Sequence, residues 1–122
     1  MPPRRKTADV AAGCNSLIID EQHKAIPDQY KAAATTSHHV ADMIADGWNV
    51  VITHGNGPQV GFILRRSEMA ITKVPPVPLD YAGADTQGAI GCMFQRAMRT
   101  EMHTRGIARN GIAVVTQILI DG

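Results

Sequence analysis

Asn49-Val50-Val51-Ile52-Thr53-His54-Gly55-Asn56-Gly57-Pro58-Gln59-Val60-Gly61 is the stretch from which the fold is read. Its first five residues are an apolar, β-branched run, the composition of a strand buried in a parallel sheet. His54-Gly55-Asn56-Gly57 is a turn with two glycines, and Pro58 suits the first position of a helix. A strand that stops in a glycine-rich turn and opens a helix presents free backbone N–H groups at that helix's N-terminus. Such groups suit an anion, usually a phosphate. Glycine also lets the backbone approach a ligand closely. The glycines alone would fit a plain strand-to-helix turn equally well; the full string from His54 to Gly61 is far more specific.

Outward from this stretch, the chain alternates between two periods. Thr7 to Ala12 reads as a first strand with one strong β former, Val10, and Gly13-Cys14-Asn15 ends it. Ile18 to Pro27 is a polar connection. A helix is expected from Asp28 to Asp46, with Tyr30, Ala33, Ser37, Val40 and Ile44 as its packing stripe, Asp28 as N-cap and Gly47 as stop. His38 and His39 are adjacent, so they diverge around that helix and share no metal on one face. The helix opened by Pro58 should run to Met69, with Val60, Gly61 and Leu64 toward the sheet and Arg65, Arg66 and Glu68 in water. Val74-Pro75-Pro76-Val77-Pro78 can be neither helix nor central strand. The longest helix is expected from Asp80 to Arg105, with an apolar stripe of Ile90, Met93, Phe94, Ala97 and Met98. Gly83, Gly88 and Gly91 suggest close packing along it, and Gly106 is its stop. Ile112 to Ile120 reads as a last strand.

The order strand–helix–strand–helix–helix–strand predicts an α/β fold: three α/β/α layers with a parallel sheet covered on both faces. Ligands of such sheets sit beyond the carboxyl ends of the strands. That rule sets Gly13-Cys14-Asn15 and His54-Gly55-Asn56-Gly57 on one edge, around an anion-sized crevice.

The string from His54 to Gly61 resembles a substrate loop of the carbamate kinases, in the amino-acid kinase superfamily. The resemblance extends through Pro78-Leu79-Asp80-Tyr81-Ala82-Gly83-Ala84-Asp85-Thr86-Gln87-Gly88-Ala89-Ile90-Gly91 and Val114-Val115-Thr116-Gln117. It implies a truncated amino-acid kinase fold: one partial domain over residues 1–122 that holds the carbamoyl phosphate side and lacks the nucleotide-binding half. Gly13, Cys14, Asn15, Gly55, Asn56 and Gly57 are the substrate-binding residues it implies, with Cys14 standing where the family usually has a second glycine. Family members transfer phosphoryl between ATP/ADP and carbamate/carbamoyl phosphate with magnesium. Their charge-neutralising lysines correspond to positions beyond Gly122, so the resemblance places no catalytic residue and no metal ligand here. Neither nucleotide nor magnesium is expected to bind fully. His54 is read as shaping its turn, and Asp80 and Gln87 as cap and packing groups. The resemblance also implies a homodimer or self-association.

Bulk composition agrees with a globular rather than a disordered chain. Its 122 residues fit one domain able to bury roughly two-thirds of its unfolded surface. Hydrophobic residues are 44% and charged residues 19%, and a formal net charge of +1 gives no reason to invoke nucleic acid or membrane. No signal peptide or apolar span is legible, so a cytoplasmic protein is expected. Cys14 and Cys92 form no metal or redox spacing and are expected as free thiols. Two readings stand beside the kinase: a non-catalytic remnant or anion-binding regulatory module, and thiol chemistry by Cys14 with His54 as base.

Overall fold

A computed structural model of the chain describes residues 3–13 and 16–121. Strands β1 (Thr7–Ala12) and β2 (Asn49–His54) pair in parallel, Thr7 opposite Asn49 and Ala12 opposite His54. Their burial alternates. Val10, Ala12, Val50 and Ile52 turn inward, while Asp9, Ala11, Val51 and Thr53 are exposed. The β-branched run is therefore buried on one side only, and Val51 is 52% exposed. Two core clusters join that inner face to helices α1 (Ile26–Ala45) and α3 (Leu79–Thr104). The α/β class and parallel pairing are those expected from the sequence; the other face of the pair is open among the described residues.

Helix α1 starts two residues before its expected N-cap. Ala25 is the extended cap, Pro27 occupies the first turn where a missing N–H is harmless, and Asp28 lies inside that turn. Ala33, Ser37 and Val40 are buried as expected, but Tyr30 is 37% exposed and Gln29 takes its place in the packed face. Both long helices end on a glycine with positive φ, Gly47 at 93° and Gly106 at 68°. In each case the glycine N–H and the next N–H bond back to helix carbonyls: Gly47 to Ile44 and Trp48 to Met43, Gly106 to His103 and Ile107 to Met102. This left-handed closure satisfies carbonyls that the helix end leaves free.

The α1–α3 contact is the centre of the fold. Ile90, Met93 and Phe94 of α3 meet Ala32 and Ala33 of α1 with Ala12 and Leu17. Further along, Met98 and Met102 meet Val40 and Ala41. Small residues on α1 let the larger side chains of α3 close the gap. Arg105 fastens the far end, donating to Asp42 Oδ1 at 2.6 Å, to the His38 carbonyl at 3.1 Å and to Glu101 at 3.4 Å. The hydrogen bond from Arg105, reinforced by its charge against the opposing effect of burial, holds the Asp42 carboxyl below its usual range.

Helix α2 (Gly57–Met69) packs against α3. Gly61 is not a close-approach position: a Cβ there would meet nothing within 4 Å, and the same holds for Gly83 and Gly88. The proline-rich crossing after α2 has no regular structure, and the Val77 N–H fixes it to Ser67 Oγ at 2.7 Å. Asp80 is in the first turn of α3 rather than its cap, which is Pro78.

The expected strand Ile112–Ile120 is corrected by the structure. Residues 107–121 belong to no sheet and run along α3, with Ile112, Val114, Ile118, Leu119 and Ile120 all more than 70% exposed. Gln95 Nε2 donates to the Gly111 carbonyl at 3.2 Å. Gln87 donates to the Thr116 carbonyl at 3.1 Å and accepts from its N–H at 2.8 Å. Between these ties, a Cβ on Gly91 would lie 2.7 Å from Ala113 Cβ. A β-branched run encodes an extended backbone but not the partner that would pair with it. Among the described residues no helix is long and apolar enough to cross a membrane.

Ile90 is 1% exposed and Val51 is open to solvent. Ile90→Val should lower unfolding free energy by about 0.5–1.5 kcal/mol, and Val51→Ala should change it by less than about 0.5 kcal/mol, as read by urea denaturation. Asp42 sets a pH dependence. Its depressed value stabilises the fold fully above the ordinary carboxylate range, and the contribution disappears as pH falls through the lowered one. The stability gap between the chain and Asp42→Asn should therefore be largest at neutral pH and shrink on acidification.

Candidate functional site

The strand ladder makes one bond beyond its last pair. The Gly55 N–H donates to the Ala12 carbonyl at 3.3 Å. Gly13 and Gly55 thus leave the sheet side by side, at the carboxyl ends of β1 and β2, and the two glycine loops begin together. Cys14 and Asn15 lie outside the described residues. The first loop turns at once: the Ser16 N–H reaches the Gly13 carbonyl at 2.8 Å, and Leu17 is already in the core.

The second loop is held from both sides. His54 Nδ1–H donates to the Gly55 carbonyl at 3.1 Å, a geometry that fixes the tautomer because a carbonyl only accepts. Its ring stacks on Phe94 with centroids 6.4 Å apart. His54 shapes the turn, as the sequence suggested. Asn56 donates through Nδ2 to Thr86 Oγ1 at 2.8 Å, and Thr86 donates onward to the Gly83 carbonyl at 2.7 Å. Thr86 is 2% exposed, so this anchor sits inside the α3 packing surface.

Asn56 turns its side chain to α3 through Nδ2, and it makes no side-chain capping bond to α2. The first helical bond runs from the Val60 N–H to the Asn56 carbonyl at 3.0 Å. Pro58 has no N–H, and the N–H groups of Gly57 and Gln59 find no acceptor among the described residues. The loop therefore offers donors and the positive end of a helix dipole to an anion.

Below the loop lies a pair of buried amides that the sequence reading missed. Gln59 Nε2 donates to Gln29 Oε1 at 3.3 Å, and Gln29 Nε2 donates to the Lys24 carbonyl at 3.2 Å. The available signal was Gln29 itself, a polar residue in register with Ala33 and Ser37 on the packed face of α1. Lysine charge is placed elsewhere: Lys24 pairs with Glu21 at 2.9 Å, and Lys6 lies at the opposite end of β1, over Trp48. Among the described residues no three acidic, histidine or cysteine side chains gather to hold a metal. Cys92 is a free, exposed thiol.

No protein-family model matches the chain. The carbamate kinase of Pyrococcus horikoshii is 40% identical over 114 residues, which cover 92% of this chain and 36% of that protein. The Escherichia coli carbamate kinase-like protein YahI is 40% identical over 114 residues, with the same shares. The structure of a Giardia carbamate kinase superposes with a TM-score of 0.90 at 32% identity, over 98% of this chain and 40% of that one. The chain is homologous to the N-terminal part of the carbamate kinases. It spans 36–38% of the length of the first curated carbamate kinases it matches. The carbamate kinase from Giardia lamblia bound to AMP-PNP matches with the same TM-score, over 96% of this chain. Of the residues expected at the site, the strand ladder sets Gly13 beside Gly55, and Asn56 and Gly57 follow Gly55 in the second loop. Asp80 and Gln87 do not join them: Asp80 opens α3 and Gln87 holds the C-terminal segment.

Thr86→Val tests the loop anchor. It removes a hydroxyl that accepts from Asn56 and donates to Gly83, and should cost about 1–2 kcal/mol. Hydrogen exchange at Asn56 and Gly57 should accelerate more than in the α1–α3 core.

Proposed function

We propose that the chain forms the carbamoyl phosphate-binding part of a carbamate kinase-like phosphotransferase. The supporting observation is the bond from Gly55 to Ala12, which sets Gly13 beside the uncapped start of α2. Phosphoryl transfer asks a protein chiefly to hold the phosphate in line and to stabilise its charge. Here the N–H groups of Gly57 and Gln59 would take phosphate oxygens. Gly13, Cys14 and Asn15 would close the other side, and Asn56 would hold the loop in shape.

The reaction proposed for the whole protein moves phosphoryl between ATP/ADP and carbamate/carbamoyl phosphate with magnesium. The residues at these loops do not fit the metal or the nucleotide. They supply backbone donors, which suit anions; Asp9 is bonded to Thr53 on the exposed sheet face, and among the described residues no lysine is tied to either loop. Those groups would belong to the part of the carbamate kinases that this chain does not match. The 122 residues alone should accordingly bind anion weakly and transfer no phosphoryl group at a useful rate.

Titration of the isotopically labelled chain with sulfate should move the amide signals of Gly55, Asn56 and Gly57 first. Movement confined to Arg4 and Arg5 would reject the site. Robust ATP formation from carbamoyl phosphate and ADP, abolished by Asn56→Ala, would show the chain to be a complete catalyst. The exposed run from Ile112 to Ile120 motivates a further expectation, self-association through apolar contact. Sedimentation should show mass rising with concentration, and Ile118→Lys with Ile120→Lys should suppress it; a monomer at every concentration would remove the homodimer from the proposal.

A further inference from the structure

We infer that residues 112–120 form the pairing strand of a two-fold dimer, antiparallel about Thr116 to the same residues of a second copy of this chain. The inference deepens the self-association proposed above and rests on it. Its first support is the way Gln87 holds Thr116. Gln87 Oε1 accepts from the Thr116 N–H at 2.8 Å, and its Nε2 donates to the Thr116 carbonyl at 3.1 Å. In an extended chain the N–H and carbonyl of one residue point to the same edge, and those of its neighbours to the other. One side-chain amide thus takes both positions that a residue of a neighbouring strand would take. The backbone groups of Ala113, Val115, Gln117 and Leu119 belong to the opposite edge. They have no hydrogen-bond partner among the described residues.

The second support is the sequence of the run. Between Arg109 and Asp121 there is no charge and no proline, the devices that protect an open edge. Ile112, Val114, Val115, Ile118, Leu119 and Ile120 are all exposed. Turned about Thr116, the run matches itself. On one face Ile112 would meet the partner's Ile120, and Val114 the partner's Ile118. On the other, Ala113 would leave room for the partner's Leu119, and Val115 would lie opposite the partner's Gln117. Branched apolar residues directly opposite each other stabilise antiparallel strands. In this register the pairs on the second face are the ones that exchange N–H···O bonds. The free edges of the two copies would meet, and Gln87 would keep its hold on Thr116.

The third support is charge, which sets the direction of pairing. Arg109 is the last cation before the run and Asp121 the first anion after it. Parallel pairing in register would set like charges against each other at both ends. Antiparallel pairing about Thr116 puts Asp121 opposite the partner's Gly111 and diagonal to the partner's Arg109, so opposite charges are neighbours at both ends. Arg109 stays in place for this. It donates to the Trp48 carbonyl at 3.1 Å and to Asn49 Oδ1 at 2.7 Å, anchoring the start of the run beside the start of β2. A two-fold contact uses the same edge of both copies and closes, so it gives a dimer and not a fibre.

The test follows the 122-residue chain by sedimentation and by amide hydrogen exchange, each over a concentration series. Mass should rise to that of a dimer and stop. At high concentration the amides of Val115 and Gln117 should slow, and those of Val114 and Ile118 should not. Val115→Pro removes an N–H from the pairing edge and should weaken the dimer about tenfold or more. Val114→Pro makes the same change of side chain but removes an N–H from the other edge, and should leave the dissociation constant nearly unchanged. Equal loss from the two prolines, or exchange slowed evenly along the run, would overturn the pairing while leaving self-association through apolar contact standing. Mass rising without limit would overturn the two-fold. A monomer at every concentration would overturn the self-association and this inference with it. Should Val115→Pro not fold, the alternation of exchange in the unaltered chain decides alone.

Discussion

A single parallel ladder, carried one bond past its last residue pair, governs where the chemistry of this chain can be. Parallel strands finish at the same edge, so the loops that follow them must start together. The bond from Gly55 to Ala12 converts that topological tendency into a fixed spacing between Gly13 and the second loop. The loops need no contact of their own to achieve it. Their separation is inherited from the strand register, and the register is inherited from the inward row of Val10, Ala12, Val50 and Ile52 against the helices. A slip of one residue would turn that row outward, so the core defends the geometry of the site.

The second loop adds a further level of control. Asn56 could have capped its own helix but is drawn to Thr86 on α3 instead. The exchange leaves the donors of α2 free and ties the loop to a long helix at the same time. It is a small local sacrifice in helix stability, since capping side chains are worth about 1 kcal/mol. The gain is a loop whose shape exists before any ligand arrives. Preorganised donors are what make backbone N–H groups effective toward a phosphate.

Much of this was legible from Asn49 to Gly61. The strand, the turn and the start of α2 were all coded locally, by β-branching, glycine and Pro58. Gly47 and Gly106 announced two helix ends because positive φ is costly for any other residue. What escaped was tertiary. The exchange of Tyr30 for Gln29 on the packed face of α1 depends on a partner, Gln59, thirty residues away. The placing of Ile112–Ile120 failed for a related reason, because a β-rich run specifies its own backbone and not its neighbour. The site residues divide along the same line. Gly55, Asn56 and Gly57 are proposed from the motif, whereas the Thr86 anchor and the buried amides needed three-dimensional proximity.

The way the C-terminal run lies on α3 has an energetic consequence. Four helical residues advance about 6 Å, nearly the advance of two extended ones. Gln95 can therefore meet Gly111, and Gly91 can meet Ala113, almost in step along the helix axis, before Gln87 grips Thr116. These ties come from one helix, and none belongs to a cooperative ladder. Each can be released without opening the α1–α3 core. With so few and such separate ties, the ribbon beyond Arg109 should open at lower free energy than the α1–α3 core. Among the described residues, a strand offered beside residues 112–120 would compete with one side-chain amide, that of Gln87 on Thr116, for that backbone. The run is accordingly held in an extended shape while remaining cheap to hand over.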